Sequence, residues 1–103
     1  PTKDIFLQKE LRGANKNIIE FIVNELDGIY REIILDKNGN YFISDLIKVC
    51  EQKHRIKILE ELSPTLSEDC LNCFATHQIQ TLIDKAGSET EYKYILFSFN
   101  DYN

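Results

Sequence analysis

The sequence predicts an all-α fold, a solenoid of three-helix repeats 36 residues long. Three observations carry that reading. The stretch Asn38-Gly39-Asn40-Tyr41-Phe42-Ile43-Ser44 falls, after a shift of 36, on Phe74-Ala75-Thr76-His77-Gln78-Ile79-Gln80, and after the reverse shift on Thr2-Lys3-Asp4-Ile5-Phe6-Leu7-Gln8. Apolar residues recur at i, i+3, i+4 and i+7, and no alternating strand pattern of any length appears. Capping and turn residues divide the chain into short segments.

Residues 3–13 read as the remainder of a helix with Phe6, Leu7 and Leu11 on one side, ended by Gly13. Asn15 or Asn17 caps a second helix with Ile18, Ile19, Ile22, Val23 and Leu26 as its apolar set, and Asp27-Gly28 breaks it. A short helix with Ile29, Ile33 and Ile34 inward follows. The central helix, about 38–51, carries Ile43, Leu46, Ile47 and Cys50. A third helix, about 53–62, carries Ile56, Ile58, Leu59 and Leu62. Ser63-Pro64 has the form of an N-cap and first position for the next short helix, with Leu66, Cys70 and Leu71. The next central helix, about 74–86, repeats the stripe as Ile79, Leu82, Ile83 and Ala86. After Gly87, Ser88-x-x-Glu91 is a capping box for a last helix that is apolar nearly all round, with Tyr92, Tyr94, Ile95, Leu96, Phe97 and Phe99. In this alignment Ile22, Ile58 and Tyr94 correspond, as do Val23, Leu59 and Ile95. Such units cover their apolar faces only by stacking, so an exposed apolar patch, or a partner over it, is expected at the C-terminal end. The expected organisation is a single array: 1–26 the end of one unit, 27–62 a complete unit, 63–103 another with a tail.

The 103 residues hold 43% hydrophobic residues, enough for a core, and a net charge of −5, which opposes a generally basic nucleic-acid binder but not a local site. The start at Pro1 and the lack of methionine are expected of a piece of a longer chain. No apolar run is long enough to span a membrane. Cys50, Cys70 and Cys73 are too few and odd in number for a disulfide framework. Cys70-x-x-Cys73 with His77 is one pair where a closed zinc site needs four ligands, so Cys50 and Cys70 are read as small core residues. No nucleophile–base motif, phosphate loop or metal set points to an enzyme, and no cofactor is implied.

Opposite the apolar stripe of the central helix stand Lys37, Asn40, Tyr41, Ser44 and Lys48; in the next copy stand Cys73, Thr76, His77, Gln80 and Asp84. Each stripe presents two polar groups one turn apart with a flat ring beside the first. Polar groups at that spacing can grip a base edge while the ring stacks on its face.

These residues resemble the Pumilio-type (PUF) RNA-binding repeats. Asn38 to Ile47 is similar to the family's GNYxxQxL recognition helix, and Ala75 to Asp84 to its GTHxxQxLI form. Arg55 to Leu59 and Leu62-Ser63-Pro64 resemble the third helix and its exit, and Phe6 to Leu11 the end of a preceding recognition helix. The match covers nearly the whole chain. It implies a right-handed, Pumilio/armadillo-like superhelix whose concave face binds single-stranded, uridine-rich RNA, one base per repeat. It further implies post-transcriptional regulation of messengers through 3′ untranslated regions, regulatory proteins on the convex face, and a cytoplasmic, or for some relatives nucleolar, location. By position, Asn40 and Ser44 face one base edge with Tyr41 stacking; Thr76 and Gln80 face the next with His77 stacking; Asp4 and Gln8 form the earlier pair with Ile5 in the stacking slot. Ser44 stands where the uracil-reading set has glutamine, Thr76-His77-Gln80 is not a sharply assigned set, and Asp4 and Ile5 depart too. A protein-binding helical scaffold, or a ribosome-assembly relative with little base preference, is the alternative.

Overall fold

The computed structural model describes Leu11 and residues 15–100. It is all-helical among them. In chain order the helices are α1 (Lys16–Glu25), α2 (Tyr30–Ile34), α3 (Gly39–Val49), α4 (Gln52–Leu62), a 3-10 turn (Ser63–Thr65), α5 (Leu66–Asp69), α6 (Thr76–Lys85) and α7 (Glu89–Phe99). The succession is short, central, third, twice over. Helix α3 packs beside α6, and α4 beside α7, so like helices of successive units lie next to one another.

The helix starts follow from their caps. Asn15 Oδ1 accepts from the Ile18 N–H at 3.0 Å, opening α1. Ser88 Oγ does the same for Glu91 N–H at 3.2 Å, while the Glu91 carboxylate accepts from the preceding Gly87 N–H and from the Ser88 hydroxyl. Glu51 caps α4, with the His54 ring accepting its backbone N–H in return. Glu51 lies 36 residues after Asn15, but Ser88 lies 37 after Glu51, because Gly87 lengthens the connection. The caps therefore set Ile95, not Tyr94, opposite Ile58. Gly28 closes the α1–α2 turn at φ 91°, a left-handed conformation that glycine adopts without strain.

The core is one cluster running through both units: Leu11, Val23, Tyr30, Ile34, Ile43, Leu46, Ile47, Ile58, Leu59, Leu62, Leu66, Ile79 and Leu82 are all at most 2% exposed. Cys50 belongs to it and Cys70 packs against it. Burial pushes the Cys50 thiol up to about 11.

Several expected positions differ. In α2 the inward ring is Tyr30, whose hydroxyl donates to the Val23 carbonyl at 2.7 Å, and Ile29 is exposed. Leu71 is exposed, because α5 ends at Asp69 and the chain turns out before it. Ile83 is on the surface although Ile47 is sealed. Ser63 is not an N-cap but ends α4 and continues into a 3-10 turn, and its hydroxyl donates to the Tyr94 carbonyl at 3.0 Å. The buried positions of α7 are Glu91 and Ser98, while Leu96, Phe97 and Phe99 face out and form the apolar patch expected there.

Polar links join the units. Arg31 grips Asp69 with two bonds, 2.8 and 2.9 Å, and Arg55 reaches the fully buried Glu91 at 3.1 Å. The Glu61 carboxylate accepts from the N–H groups of Gly28 and Tyr30 at 2.6 and 2.7 Å, satisfying the start of α2 from another helix. Ser98 Oγ plays that part for α5, accepting from the Ser67 N–H at 2.8 Å.

Candidate functional site

Two equivalent turns aim the site. Asp36 Oδ2 accepts from the N–H groups of Asn38 and Gly39 at 2.8 and 2.6 Å, and Asn72 Oδ1 accepts from those of Phe74 and Ala75 at 2.8 and 3.1 Å. These bonds hold the Asp36 carboxyl below its ordinary pKa. A Cβ on Gly39 would meet Ile33 Cγ2 at 2.9 Å, so the tight entry into α3 requires glycine. Each turn launches a helix whose ring comes five residues after the capping side chain: Tyr41 on α3 and His77 on α6.

Both rings are exposed and both line one cleft between α3 and α6, about 410 Å³ in volume, with Asn40, Ser44, Asp45, Lys48, Cys73, Phe74 and Gln78. Ile43 and Ile79 point the opposite way, into the core. The stripe and its apolar counterpart thus sit on opposite sides of their helices.

Asn40 and Ser44 were expected on the open face and are buried instead, at 4% and 7% exposure. The cause is the neighbouring helix. Asn40 donates both amide hydrogens to the carbonyls of Asp36 and Lys37, each at 2.8 Å, and its Oδ1 accepts from Gln78 Nε2 on α6 at 2.7 Å. Gln78 also donates to the Phe74 carbonyl at 3.3 Å, and its own Oε1, buried, has no partner among the described residues. Thr76 and Gln80 are exposed on α6 but do not line this cleft. Asp4, Ile5 and Gln8 lie outside the described residues.

Phe74, Gln78 and Asp45 were absent from the expected set. Lys48 was on the stripe, but not among the expected contacts. Its spacing of seven from Tyr41 was the available signal, since i+7 returns to the same face. Neither Asp45 nor Lys48 makes an ion pair among the described residues. Chemically, the cleft offers the rings of Tyr41, Phe74 and His77, the Ser44 hydroxyl, an ammonium and a carboxylate, an arrangement suited to a planar polar ligand.

No protein-family model matches the chain. It is 28% identical over 94 residues to Pumilio homolog 12 of Arabidopsis thaliana and 22% identical over 97 residues to the suppressor protein MPT5 of Saccharomyces cerevisiae. Its fold superposes, at a TM-score of 0.87 and 21% identity, on the PUM-HD domain of S. pombe Puf1, whose crystal structure is in complex with RNA. The chain is thus similar in sequence to Pumilio-type proteins and in fold to a Pumilio homology domain. Those matches take in 88%, 92% and 98% of the chain. The chain spans 16% and 11% of the length of the two curated relatives and 28% of the Puf1 chain. The chain shares the helical fold of that PUM-HD, with α3 beside α6 and α4 beside α7.

Proposed function

We propose that this array binds single-stranded RNA along the face carrying Tyr41 and His77, one base per repeat. The supporting observation is the shared cleft: two exposed rings, one from each successive central helix, opening on one side of a continuous core. A base seated there stacks on Tyr41 and His77 while polar groups below meet its edge. Thr76 and Gln80 flank the neighbouring position, with Asp4, Ile5 and Gln8 on the repeat before. The RNA is uridine-rich, and the role is post-transcriptional regulation of messengers through 3′ untranslated regions in the cytoplasm. The relatives and the RNA-bound Puf1 domain support this reading. The protein is a binding module rather than an enzyme.

A second reading, a protein-binding scaffold, is favoured by the exposed Leu96, Phe97 and Phe99 and by an apolar groove of about 330 Å³ between α4 and α7, lined by Pro64, Tyr94 and Phe97. Regulatory proteins would dock on that side. Titration with labelled oligo-uridine separates the readings. Tyr41→Ala and His77→Ala should each weaken binding about tenfold, the worth of one stacked base. Affinity should fall with salt as phosphate contacts are screened. Unchanged affinity in both variants favours the scaffold.

A further inference from the structure

We propose that Lys48 reads the base held between Tyr41 and His77, and that this cleft prefers bases that present a carbonyl oxygen to it, O4 of uracil or O6 of guanine, over those with an amino group in that place, N4 of cytosine or N6 of adenine. The inference rests on the RNA-binding reading above and specifies its chemistry at one site.

The argument begins with what the neighbouring groups have already spent their hydrogen bonds on. Asn40, the residue placed to meet a base edge, has both amide hydrogens committed to backbone carbonyls and accepts from Gln78. It is a positioning residue that fixes the start of α3 against α6. Ser44 is short and 7% exposed. It is a single hydroxyl at the floor of the cleft, able to donate or accept, and discriminates little. The next group on that side of the helix is Lys48, four residues beyond Ser44 and seven beyond Tyr41. It lines the same cleft, is exposed, and has no carboxylate within salt-bridge distance among the described residues.

An ammonium carries three donors and no acceptor. Set against a base edge it favours a carbonyl oxygen and disfavours an amino group, whose hydrogens point at it. Asp45 is the one carboxylate among the described residues that line the cleft, and it is acceptor-only, so it pulls the other way. Lys48 outreaches it, on a longer and more exposed side chain. On α6 the corresponding position is Asp84, so the preference is local to this cleft.

The test compares the wild-type protein with Lys48→Met and Lys48→Arg, both changes at an exposed helix position. Equilibrium binding of labelled oligo-uridine and oligo-cytidine is measured at one ionic strength. Other base sites contribute equally to each variant, so the change in the uridine-to-cytidine affinity ratio isolates residue 48. Lys48→Met should lower that ratio about tenfold, the worth of one charge-assisted hydrogen bond, as Asp45 is left to favour cytosine. Lys48→Arg should keep it. Equal weakening of both oligonucleotides makes Lys48 a phosphate contact and overturns the proposal alone, as does no change in either. If the wild type binds neither oligonucleotide, the RNA-binding reading falls, and this proposal with it.

Discussion

Helices α4 and α7 hold the same rank in successive units and have opposite fates. In α4, Ile58, Leu59 and Leu62 are at most 1% exposed. In α7 the residues at the corresponding distances from the cap are Ile95, half-buried, and Leu96 and Phe99, 57% and 41% exposed. Helix α7 is the more apolar of the two, and both begin with capping boxes. What differs is that α7 lies against α4, whereas no described element covers the far side of α7. Burial in this architecture belongs to the stacking of a helix, not to its composition.

The largest expected effect tests that contrast directly. Leu59→Ala should cost about 2–5 kcal/mol in urea denaturation, as cavity-forming core changes do, while Leu96→Ala should stay within about 0.5 kcal/mol. Similar losses at both sites would mean that α7 is covered in solution, and concentration-dependent unfolding would then reveal the association.

A smaller effect sharpens the same comparison on the central helices. Asn40 and Thr76 occupy equivalent positions, each one residue before the ring of its helix, yet one is buried and the other exposed. Asn40→Ala strands two carbonyls and the Gln78 amide, so it should cost about 1–3 kcal/mol. Thr76→Ala should be near neutral in stability. Equal effects would show that the Asn40–Gln78 link contributes nothing in solution.

What the sequence made legible was whatever is local or periodic. Ile43, Leu46, Ile79 and Leu82 fall inside because helical spacing puts them on one side. Asn15 and Ser88 cap because short polar side chains at those places reach N–H groups three residues on. The rings of Tyr41 and His77 came out on one cleft for the same reason. The five-residue α2 is too short for periodicity to choose between Ile29 and Tyr30; a carbonyl waiting at Val23 decided for the tyrosine. Glu61 satisfying Gly28 and Tyr30, and Gln78 engaging Asn40, join residues 31 to 38 apart, and neither side chain carries a mark of it in its own segment. The candidate cleft was therefore legible in its exposed rings and not in its polar groups, whose availability is set by the adjacent helix.

The smallest expected effect concerns the third residue of each capping box, His54 in α4 and Glu91 in α7. Burial lowers the pKa of His54 from its ordinary 6.5, Lys53 adds to this, and Glu51 and Glu20 oppose it. Its Nδ1 accepts a backbone N–H, and its buried Nε2 has no hydrogen-bond partner among the described residues, with the Glu20 carboxylate 4.0 Å away. The unfolded chain thus takes up that proton more readily, and stability falls as pH drops from 6.5, by at most about 1.4 kcal/mol per pH unit for one proton. Burial raises the Glu91 pKa, but bonds from Gly87, Ser88 and Arg55 outweigh it, and the net shift is below the ordinary 4.5. Asp69 behaves likewise: burial raises it, and Arg31 and Thr65 bring it below 3.8. The stability these two carboxylates contribute is complete above those ordinary values and is lost below them, as pH falls through the lower pKa each has in the folded protein. Urea midpoints measured down the pH scale should therefore decline in two stages. His54→Gln should flatten the first, near pH 6.5, and leave the second in place. A first stage that survives the substitution would assign it to another group and remove the asymmetry drawn here between the two boxes.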